Sequence, residues 1–321
     1  MPRHFRTFAR RVVVGAAKLT PGVSTELKKL DDFRQKALLQ SQYPPGHYYS
    51  TIPDWESARR HAGEKINELR LWGINLNEEK QLALVRSFAQ SLGSDFWTRG
   101  GSLTGPRYQW PNDYFHWTDA RLLAHMVTHF RPRRIVEVGC GFSSAAASDA
   151  LDRASLDLPA GRTLIDPDFT RLRSRFPPNE LARMTLHEKI VQEVDIKEFL
   201  SLAAGDLLII DSSHITKHGS DVNFLVFDVL PQLASGVVVH FHDVFLPFDY
   251  PALWYKERRG YNETYLLRAF LQFNSEFEII AFADYLRHAW PAELAAALGG
   301  PPDAVGDGVA VGYASLWLRK R

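Results

Sequence analysis

One stretch, residues 134–151, constrains the fold of this chain more than any other. It opens with an apolar, β-branched run, breaks at Gly139 and Gly141, and continues with small residues that suit a helix. The predicted order is strand, tight turn and helix, because glycine permits a sharp turn and a close approach of ligand to backbone. Such a turn leaves amide N–H groups at the start of the helix, where a carboxylate-bearing ligand is stabilised. A short glycine pattern also occurs in plain strand–helix turns, so its meaning depends on the rest of the chain.

Glu137 lies two residues before the first glycine and restricts which ligand the turn can accept. A carboxylate there would repel a pyrophosphate lying in the turn. A ligand with a carboxylate at one end and a positive charge nearby fits better, and an amino acid that carries a sulfonium group has both. We therefore expect Glu137, Gly139 and Gly141 to take part in cofactor binding.

From residue 133 onward, the apolar runs predict alternating strands and helices. The predicted strands are residues 134–139, 162–165, 185–191, 206–210, 236–242, 277–282 and 313–319, and the predicted helices are residues 119–130, 143–153, 221–233, 262–273 and 291–298. Helical crossovers predict a parallel sheet with helices on both faces. The long Gly/Pro-rich connection before the last strand favours an antiparallel direction for that strand. The predicted fold class is α/β, a Rossmann-like, mostly parallel seven-stranded sheet with a helical N-terminal extension.

Two domains are predicted: a helical N-terminal extension and cap over residues 1–115, and a Rossmann-like domain over residues 116–321. Apolar spacing predicts helices within residues 55–72 and 77–92. Residues 26–100 and the loop 100–119 are expected to cover the cofactor cleft and line the acceptor pocket, because an open sheet edge would expose a reactive ligand to water.

Charge and composition exclude several classes of protein. The formal net charge of +1 argues against nucleic-acid binding, and the single cysteine, Cys140, excludes an intrachain disulfide and a cysteine-based zinc cluster. No run approaches the roughly 18 apolar residues of a transmembrane segment, so a cytoplasmic protein is expected. Residues 1–25 are basic and contain no acid. They leave two interpretations open: a basic N-terminal arm, or weak membrane-surface contact by residues 1–20.

Polar residues follow the predicted strands at their carboxyl ends, where open α/β sheets bind ligands. Asp166 follows the second strand, where an acid can accept hydrogen bonds from both hydroxyls of a ribose. Asp168 is a rival for this role, and Asp166 is favoured because it is closer to the strand.

Two further clusters follow the fourth and fifth predicted strands. Asp211 and His214 are three residues apart and can hold a metal or exchange a proton with a substrate. His242 and Asp243 lie at the rim of the sheet, where a functional role is favoured, whereas His240 lies deeper and is expected to be a core histidine. The aromatic loop 246–255 can line a substrate pocket or simply pack on the surface.

Together these motifs resemble the class I S-adenosylmethionine-dependent methyltransferases. The resemblance rests on Glu137-x-Gly139-x-Gly141, on the acids after the second and fourth strands, and on the closing strand Ser315-Leu-Trp-Leu-Arg-Lys. The segments Ile210-Asp-Ser-Ser-His214, Val239-His-Phe-His-Asp243 and Pro247-Phe-Asp-Tyr-Pro251 resemble the bacterial methyltransferase domain family 24 in particular.

The resemblance implies roles for individual residues. Gly139 and Gly141 would contact the methionine part of the cofactor, Asp166 the ribose, and Gln192 the adenine. Asp211 borders the same cleft and is included among the cofactor-binding residues.

The magnesium-dependent catechol O-methyltransferases carry a metal-binding Asp after the fourth strand and another after the fifth, and Asp211 and Asp243 match these. His214 takes the place of their catalytic lysine. Val244 stands where they have a third ligand, an Asn, and His242 is the candidate substitute. A histidine ligand would shift the preference from magnesium towards a softer divalent metal ion.

The expected reaction is in-line methyl transfer to a hydroxyl of a small molecule or glycan, with His214 as general base and Asp211, His242 and Asp243 as its catalytic partners. Three alternatives stay open. An NAD-dependent oxidoreductase would share the glycine turn, although its full fingerprint needs glycine where this chain has Ser144. A metal-dependent hydrolase would leave the turn unexplained, and a non-catalytic S-adenosylmethionine-binding protein would use the cleft without chemistry.

Overall fold

The computed structural model describes residues 28–29, 43–62, 71–88, 107–298 and 312–321. The chain forms two compact units, Met1–Ala58 and Arg59–Arg321. In the described part of the first unit, the Gly46 N–H donates to the Ile52 carbonyl (3.0 Å), and the rings of Tyr43 and His47 stack at 4.5 Å. The second unit contains the sheet.

The elements alternate along the second unit much as the sequence predicts. The helices are α1 (Trp55–His61, which begins before this unit), α2 (Glu78–Phe88), α3 (Trp117–Phe130), α4 (Phe142–Arg153), α5 (Thr170–Arg173), α6 (Pro178–Leu181), α7 (Lys197–Leu200), α8 (Asp221–Phe224), α9 (Ala252–Lys256), α10 (Glu263–Leu271), α11 (Ala283–Ala289) and α12 (Pro291–Leu298). The strands are β1 (Arg134–Val138), β2 (Gly161–Ile165), β3 (Thr185–His187), β4 (Leu207–Ile210), β5 (Val238–Phe241), β6 (Phe277–Phe282) and β7 (Leu316–Lys320).

The sheet has seven strands in the order β3-β2-β1-β4-β5-β7-β6. The first five strands of this order are parallel, and β7 runs antiparallel to both β5 and β6. The predicted fold class and the antiparallel closing strand are therefore confirmed. The order reverses between β1 and β4, and such a switch point opens a crevice at the carboxyl ends of the strands.

The sequence was least informative where elements are short or irregular. Strand β3 ends at His187 rather than at residue 191, because the chain turns into a single 3₁₀ turn at Val191–Glu193. The helix predicted over 221–233 is α-helical only in α8 and continues as a π-helical and then a 3₁₀ turn, where Pro231 lacks the N–H that a regular helix needs. Helix α11 was not predicted, because it follows β6 without an intervening turn residue.

The core lies on both faces of the sheet, as expected for parallel strands covered by helices. Every residue of β4 and β5 is buried, and their side chains alternate between the two faces. One face packs on α3 and α4, and the other on the helical segment 221–232. This burial holds the carboxyl ends of β1, β4 and β5 in fixed positions.

Helix α2 packs along the β6 edge of the sheet. The Gln81 side chain accepts a hydrogen bond from the Phe282 N–H (2.7 Å), and Lys80 pairs with Glu278 (3.0 Å). Residues 71–88 thus lie away from the crevice, whereas loop residues 113–116 line it. Cover of the cleft by the remainder of residues 26–100 stays a prediction, since much of that segment lies outside the described residues. Within the described residues, no helix is both long and apolar enough to cross a membrane.

Candidate active site

A cavity of about 980 Å³ opens at the carboxyl ends of the parallel strands. Its lining includes most of the residues that the sequence marks as functional, namely Gly139, Gly141, Asp166, Gln192, Asp211, His214, His242 and Asp243. The sheet topology explains why these residues lie close together, because the loops after β1, β2, β4 and β5 all emerge at one edge of the sheet.

The glycine turn is shaped by a close contact with the loop after β4. Gly139 has φ +80°, and a Cβ on it would lie 1.7 Å from the Asp211 carbonyl oxygen. The turn also uses its own amide groups: Gly139 N–H donates to Ile165 O (2.9 Å), Cys140 N–H to Asp166 Oδ2 (2.8 Å), and Gly141 N–H to Ser144 Oγ (3.1 Å). The amide groups of the turn are therefore used within the protein, and the N–H groups without an intrahelical partner are those of the first turn of α4, at the start of the helix.

Glu137 does not line the cavity, in contrast to the sequence expectation. Its side chain is fully buried, accepts hydrogen bonds from Ser143 Oγ (2.6 Å) and Ser144 Oγ (2.9 Å), and pairs with Arg162 (3.0 Å). Inside the protein, the Glu137 carboxylate therefore connects the end of β1 to the first turn of α4, and it does not line the cavity. This correction follows from packing, because a buried carboxylate must be paired.

Asp166 borders the cavity, whereas Asp168 does not. Asp166 accepts backbone hydrogen bonds from Cys140 and Asp168, and burial raises its pKa above the ordinary value. The Gln192 amide donates to the Gly219 carbonyl (2.8 Å), while its Oε1 is buried without a partner. Gln192 lines the same cavity, and no described residue uses its buried Oε1 as an acceptor.

His214 is the centre of an acidic cluster. Its Nε2 lies 3.4 Å from Asp211 Oδ1 and 3.2 Å from Asp243 Oδ2, and its Nδ1 lies 2.8 Å from Glu263 Oε2. Burial alone would lower the pKa of His214, but Asp211, Glu263 and Asp243 raise it well above the ordinary value. His214 and Asp243 both adopt positive φ, a conformation that is uncommon outside glycine and concentrates at functional sites.

The general-base role that the sequence suggests for His214 stays a prediction. Both ring nitrogens face carboxylates, with Asp211 and Asp243 near Nε2 and Glu263 near Nδ1. The same donor set also suits metal binding, in which the imidazole is neutral and Nε2 is the ligand atom.

Asp211, His214 and Asp243 fit a divalent cation. Their ligand atoms lie within 4.8 Å of one another. Two ligands that are each about 2.1 Å from an ion are roughly 3.0 Å apart in octahedral and roughly 3.4 Å apart in tetrahedral coordination, and His214 Nε2 lies 3.4 Å from Asp211 and 3.2 Å from Asp243. Metal-bound histidines almost always donate their second N–H to a carboxylate or carbonyl, and Glu263, only 2% exposed, occupies that position.

His242, expected from the sequence to be the third ligand, lies beside this group rather than within it. Its Nε2 is 3.6 Å from Asp243 Oδ1, and its Nδ1 is buried without a partner. The ring packs against Phe115 at 4.8 Å. His214 rather than His242 therefore belongs to the group that could hold a metal ion, and His242 forms part of the cavity wall.

A buried polar layer supports the end of β5. His240 stacks on Trp317 (4.5 Å), and its Nε2 meets Ser315 Oγ at 3.2 Å. Ser315 Oγ donates in turn to Asp119 Oδ1 (2.5 Å), and burial raises the pKa of Asp119 to about 7. His240 is thus a core residue in this structure, and the layer fixes the strand that carries His242 and Asp243.

Aromatic side chains form the wall beyond the acidic cluster. Leu253 and Trp254, from the predicted aromatic loop and α9, line the cavity with Tyr261, whose ring lies 5.0 Å from that of His214. Arg259 stacks on Trp254 (4.6 Å) and pairs with Glu257 (2.7 Å).

Sequence reasoning missed Glu263, Tyr261 and Arg171. An acid in the first turn of a helix, such as Glu263, is ordinary in any sequence because it complements the helix dipole. Tyr261 and Arg171 carry no distinguishing motif. Only the tertiary structure reveals that these three side chains border the site or contact its residues.

Comparisons with known proteins agree with this architecture. Residues 136–244 match the model of a family described as a methyltransferase domain. An uncharacterized protein of Archaeoglobus fulgidus is 34% identical over 170 residues, which cover 50% of this chain and 73% of that protein.

Two solved structures show a weaker likeness. The O-methyltransferase TomG from Streptomyces achromogenes, in complex with SAM, is 14% identical, with 84% of this chain and 99% of that chain covered and a TM-score of 0.37. The SAH-bound Podospora anserina methyltransferase PaMTH1 is 12% identical, with 75% of this chain and 88% of that chain covered and a TM-score of 0.38. Likenesses this low carry no argument about function.

The matched segment runs from β1 to the residue after Asp243, so it contains the glycine turn, Asp166, Asp211, His214 and Asp243, whereas Glu263 lies beyond it. The strand order, with β7 inserted antiparallel between β5 and β6, agrees with that assignment. This chain belongs to the class I S-adenosylmethionine-dependent methyltransferases.

Proposed function

We propose that the chain transfers the methyl group of S-adenosylmethionine to a hydroxyl oxygen of a small molecule or sugar. The observation that carries this proposal is the convergence of Asp211, His214 and Asp243 in the cavity that also contains the glycine turn and Asp166. Oxygen acceptors suit a cation-binding group of this kind, because hydroxyl oxygens are good ligands for divalent ions.

The cofactor would extend along the edge of the sheet from β1 to β3. Gly139 and Gly141 would border the methionine part, and the Asp166 carboxylate would accept hydrogen bonds from the ribose hydroxyls. The unpartnered Oε1 of Gln192 would accept a hydrogen bond from the adenine amino group. Ser144 occupies the third glycine position of a dinucleotide fingerprint and bonds to Glu137, so the NAD-dependent alternative is less favoured.

Asp211, His214 and Asp243 would hold the divalent metal ion, and Glu263 would hold the His214 ring in its ligating orientation. When bound, such an ion lowers the pKa of a coordinated hydroxyl and orients its oxygen. The Trp254 and Tyr261 side chains would form the acceptor wall. The imidazole in the ligand set favours iron or zinc, and the two carboxylates also suit manganese.

The test is transfer of a radiolabelled methyl group to paired acceptors. Each hydroxylated small molecule or sugar is assayed beside its deoxy and amino analogues, with added manganese and with a chelator. We expect label only in the hydroxyl compounds, and at least a tenfold loss with the chelator. Transfer to amines would contradict the proposal. Cofactor binding without transfer to any compound, in a panel that includes a metabolite extract, would favour the non-catalytic alternative.

Asp166→Asn is expected to weaken S-adenosylhomocysteine binding by about 10- to 100-fold, on the order of 1–3 kcal/mol, because the amide cannot replace a carboxylate acceptor for two hydroxyls. Calorimetry measures the affinity. Asp168→Asn is the matched control, since Asp168 is two residues away and does not line the cavity. An equal loss in both variants would contradict the ribose assignment.

Glu263→Gln is expected to lower manganese affinity by about 10- to 100-fold, the usual effect of losing the carboxylate behind a metal-bound histidine. Titration of the purified protein with manganese measures this affinity. Glu257→Gln removes a cavity-lining acid that pairs with Arg259 instead, and should leave the affinity unchanged. Unaltered manganese binding by Glu263→Gln would contradict the proposed ligand arrangement.

A further inference from the structure

Arg171 lies at the mouth of the cavity, directly over the glycine turn. A Cβ on Gly141 would be 2.7 Å from Arg171 Cδ, so the missing side chain is what lets the arginine approach. Its guanidinium lies 3.7 Å from the centre of the Tyr114 ring, and Tyr114 stacks on Phe142 at 5.8 Å. Arg171, Tyr114 and Phe142 all line the cavity.

Within the described part of the chain, no carboxylate lies within ion-pair distance of Arg171, and Asp166 and Asp168 interact with its charge only from further away. The other cavity-lining cations are placed differently: Arg259 pairs with Glu257, and Lys189 follows β3. Strand β3 is two positions from β1 in the sheet, which is about 10 Å at ordinary strand spacing. Arg171 is therefore the unpaired cation next to the glycine turn.

The turn itself cannot provide charge compensation for an anionic group. The N–H groups of Gly139, Cys140 and Gly141 are all donated within the protein. A carboxylate placed there would meet only the first N–H groups of α4, at Phe142 and Ser143. A guanidinium above the same turn would donate two further hydrogen bonds to that carboxylate.

We propose that Arg171 binds the carboxylate of the methionine half of the cofactor, and that Tyr114 holds the guanidinium over the turn. The carboxylate lies between Arg171 and the first turn of α4. This assignment rests on the use of S-adenosylmethionine by the chain, and it gives the loop before α3 a role in cofactor binding.

The test compares two ligands that differ only in this carboxylate, S-adenosylhomocysteine and its decarboxylated analogue. Calorimetry gives both affinities for the unaltered protein, for Arg171→Met and for Arg175→Met. Arg175 is the matched control, because its guanidinium also lies over this aromatic stack, 5.1 Å from the Phe142 ring, but it does not line the cavity.

The unaltered protein should prefer the carboxylated ligand, and Arg171→Met should reduce that preference by about tenfold while leaving the affinity for the decarboxylated analogue unchanged. Arg175→Met should leave the preference intact. A preference that survives Arg171→Met, or an equal loss for both ligands, would overturn the assignment. If the unaltered protein bound neither ligand, the cofactor itself would be wrong, so that failure is distinguishable from failure of the Arg171 role.

Discussion

His214→Ala is expected to lower turnover by about 100-fold or more and to abolish tight manganese binding, while S-adenosylhomocysteine affinity changes little. The reason is that His214 supplies the only nitrogen of the Asp211, His214 and Asp243 group and is held on its other side by Glu263. Turnover is measured with an acceptor found in the labelled-methyl assay, and metal binding is measured independently of it.

His218→Ala is the matched control for this experiment. His218 lies four residues further along the same loop, is exposed, and does not line the cavity. Its removal should leave both turnover and manganese affinity unchanged. If His214→Ala retained the metal affinity and turnover of the unaltered protein, the side chain would have no role in the reaction.

Gly139→Ala is expected to lower the free energy of unfolding by about 2–5 kcal/mol, the sum of overpacking and a left-handed backbone. The new Cβ would lie 1.7 Å from a backbone oxygen of Asp211, and a backbone atom cannot rotate away as a side chain can. The loops after β1 and β4 would have to separate, so cofactor binding should fall as well. Urea unfolding of the purified variant measures the change.

Gly161→Ala separates the cost of overpacking from the cost of the left-handed backbone. Gly161 also has positive φ, at +92°, but nothing lies within 4 Å of the position its Cβ would take. Only the backbone cost, about 1–2 kcal/mol, should therefore appear in this variant. Equal destabilisation of the two variants would show that the contact with Asp211 is unimportant.

The fold could be predicted from the sequence because its signals are local. Buried parallel strands appear as continuous apolar runs, and the glycines mark the turn after β1. The positions of Asp166, Asp211 and Asp243 followed from one rule, that ligands bind beyond the carboxyl ends of the strands. Helix α11 escaped prediction because no turn residue separates it from β6.

The roles of individual side chains depend on contacts between distant parts of the chain. The carboxylate next to His214 Nδ1 comes from Glu263, 49 residues later, and it is the contact that leads us to propose a ligand role for this imidazole. Glu137 was assigned to the cofactor, yet Arg162 and two serines enclose it. Neither pairing leaves a periodic or compositional signal in the sequence.

The most direct test is a crystal structure of the protein with S-adenosylhomocysteine and manganese, whose anomalous scattering identifies the ion. We expect an anomalous peak in contact with Asp211, His214 and Asp243, and the cofactor in the same cavity with its ribose on Asp166 and its sulfur facing the ion. An ion bound elsewhere, or a cofactor outside this cavity, would contradict the proposed site.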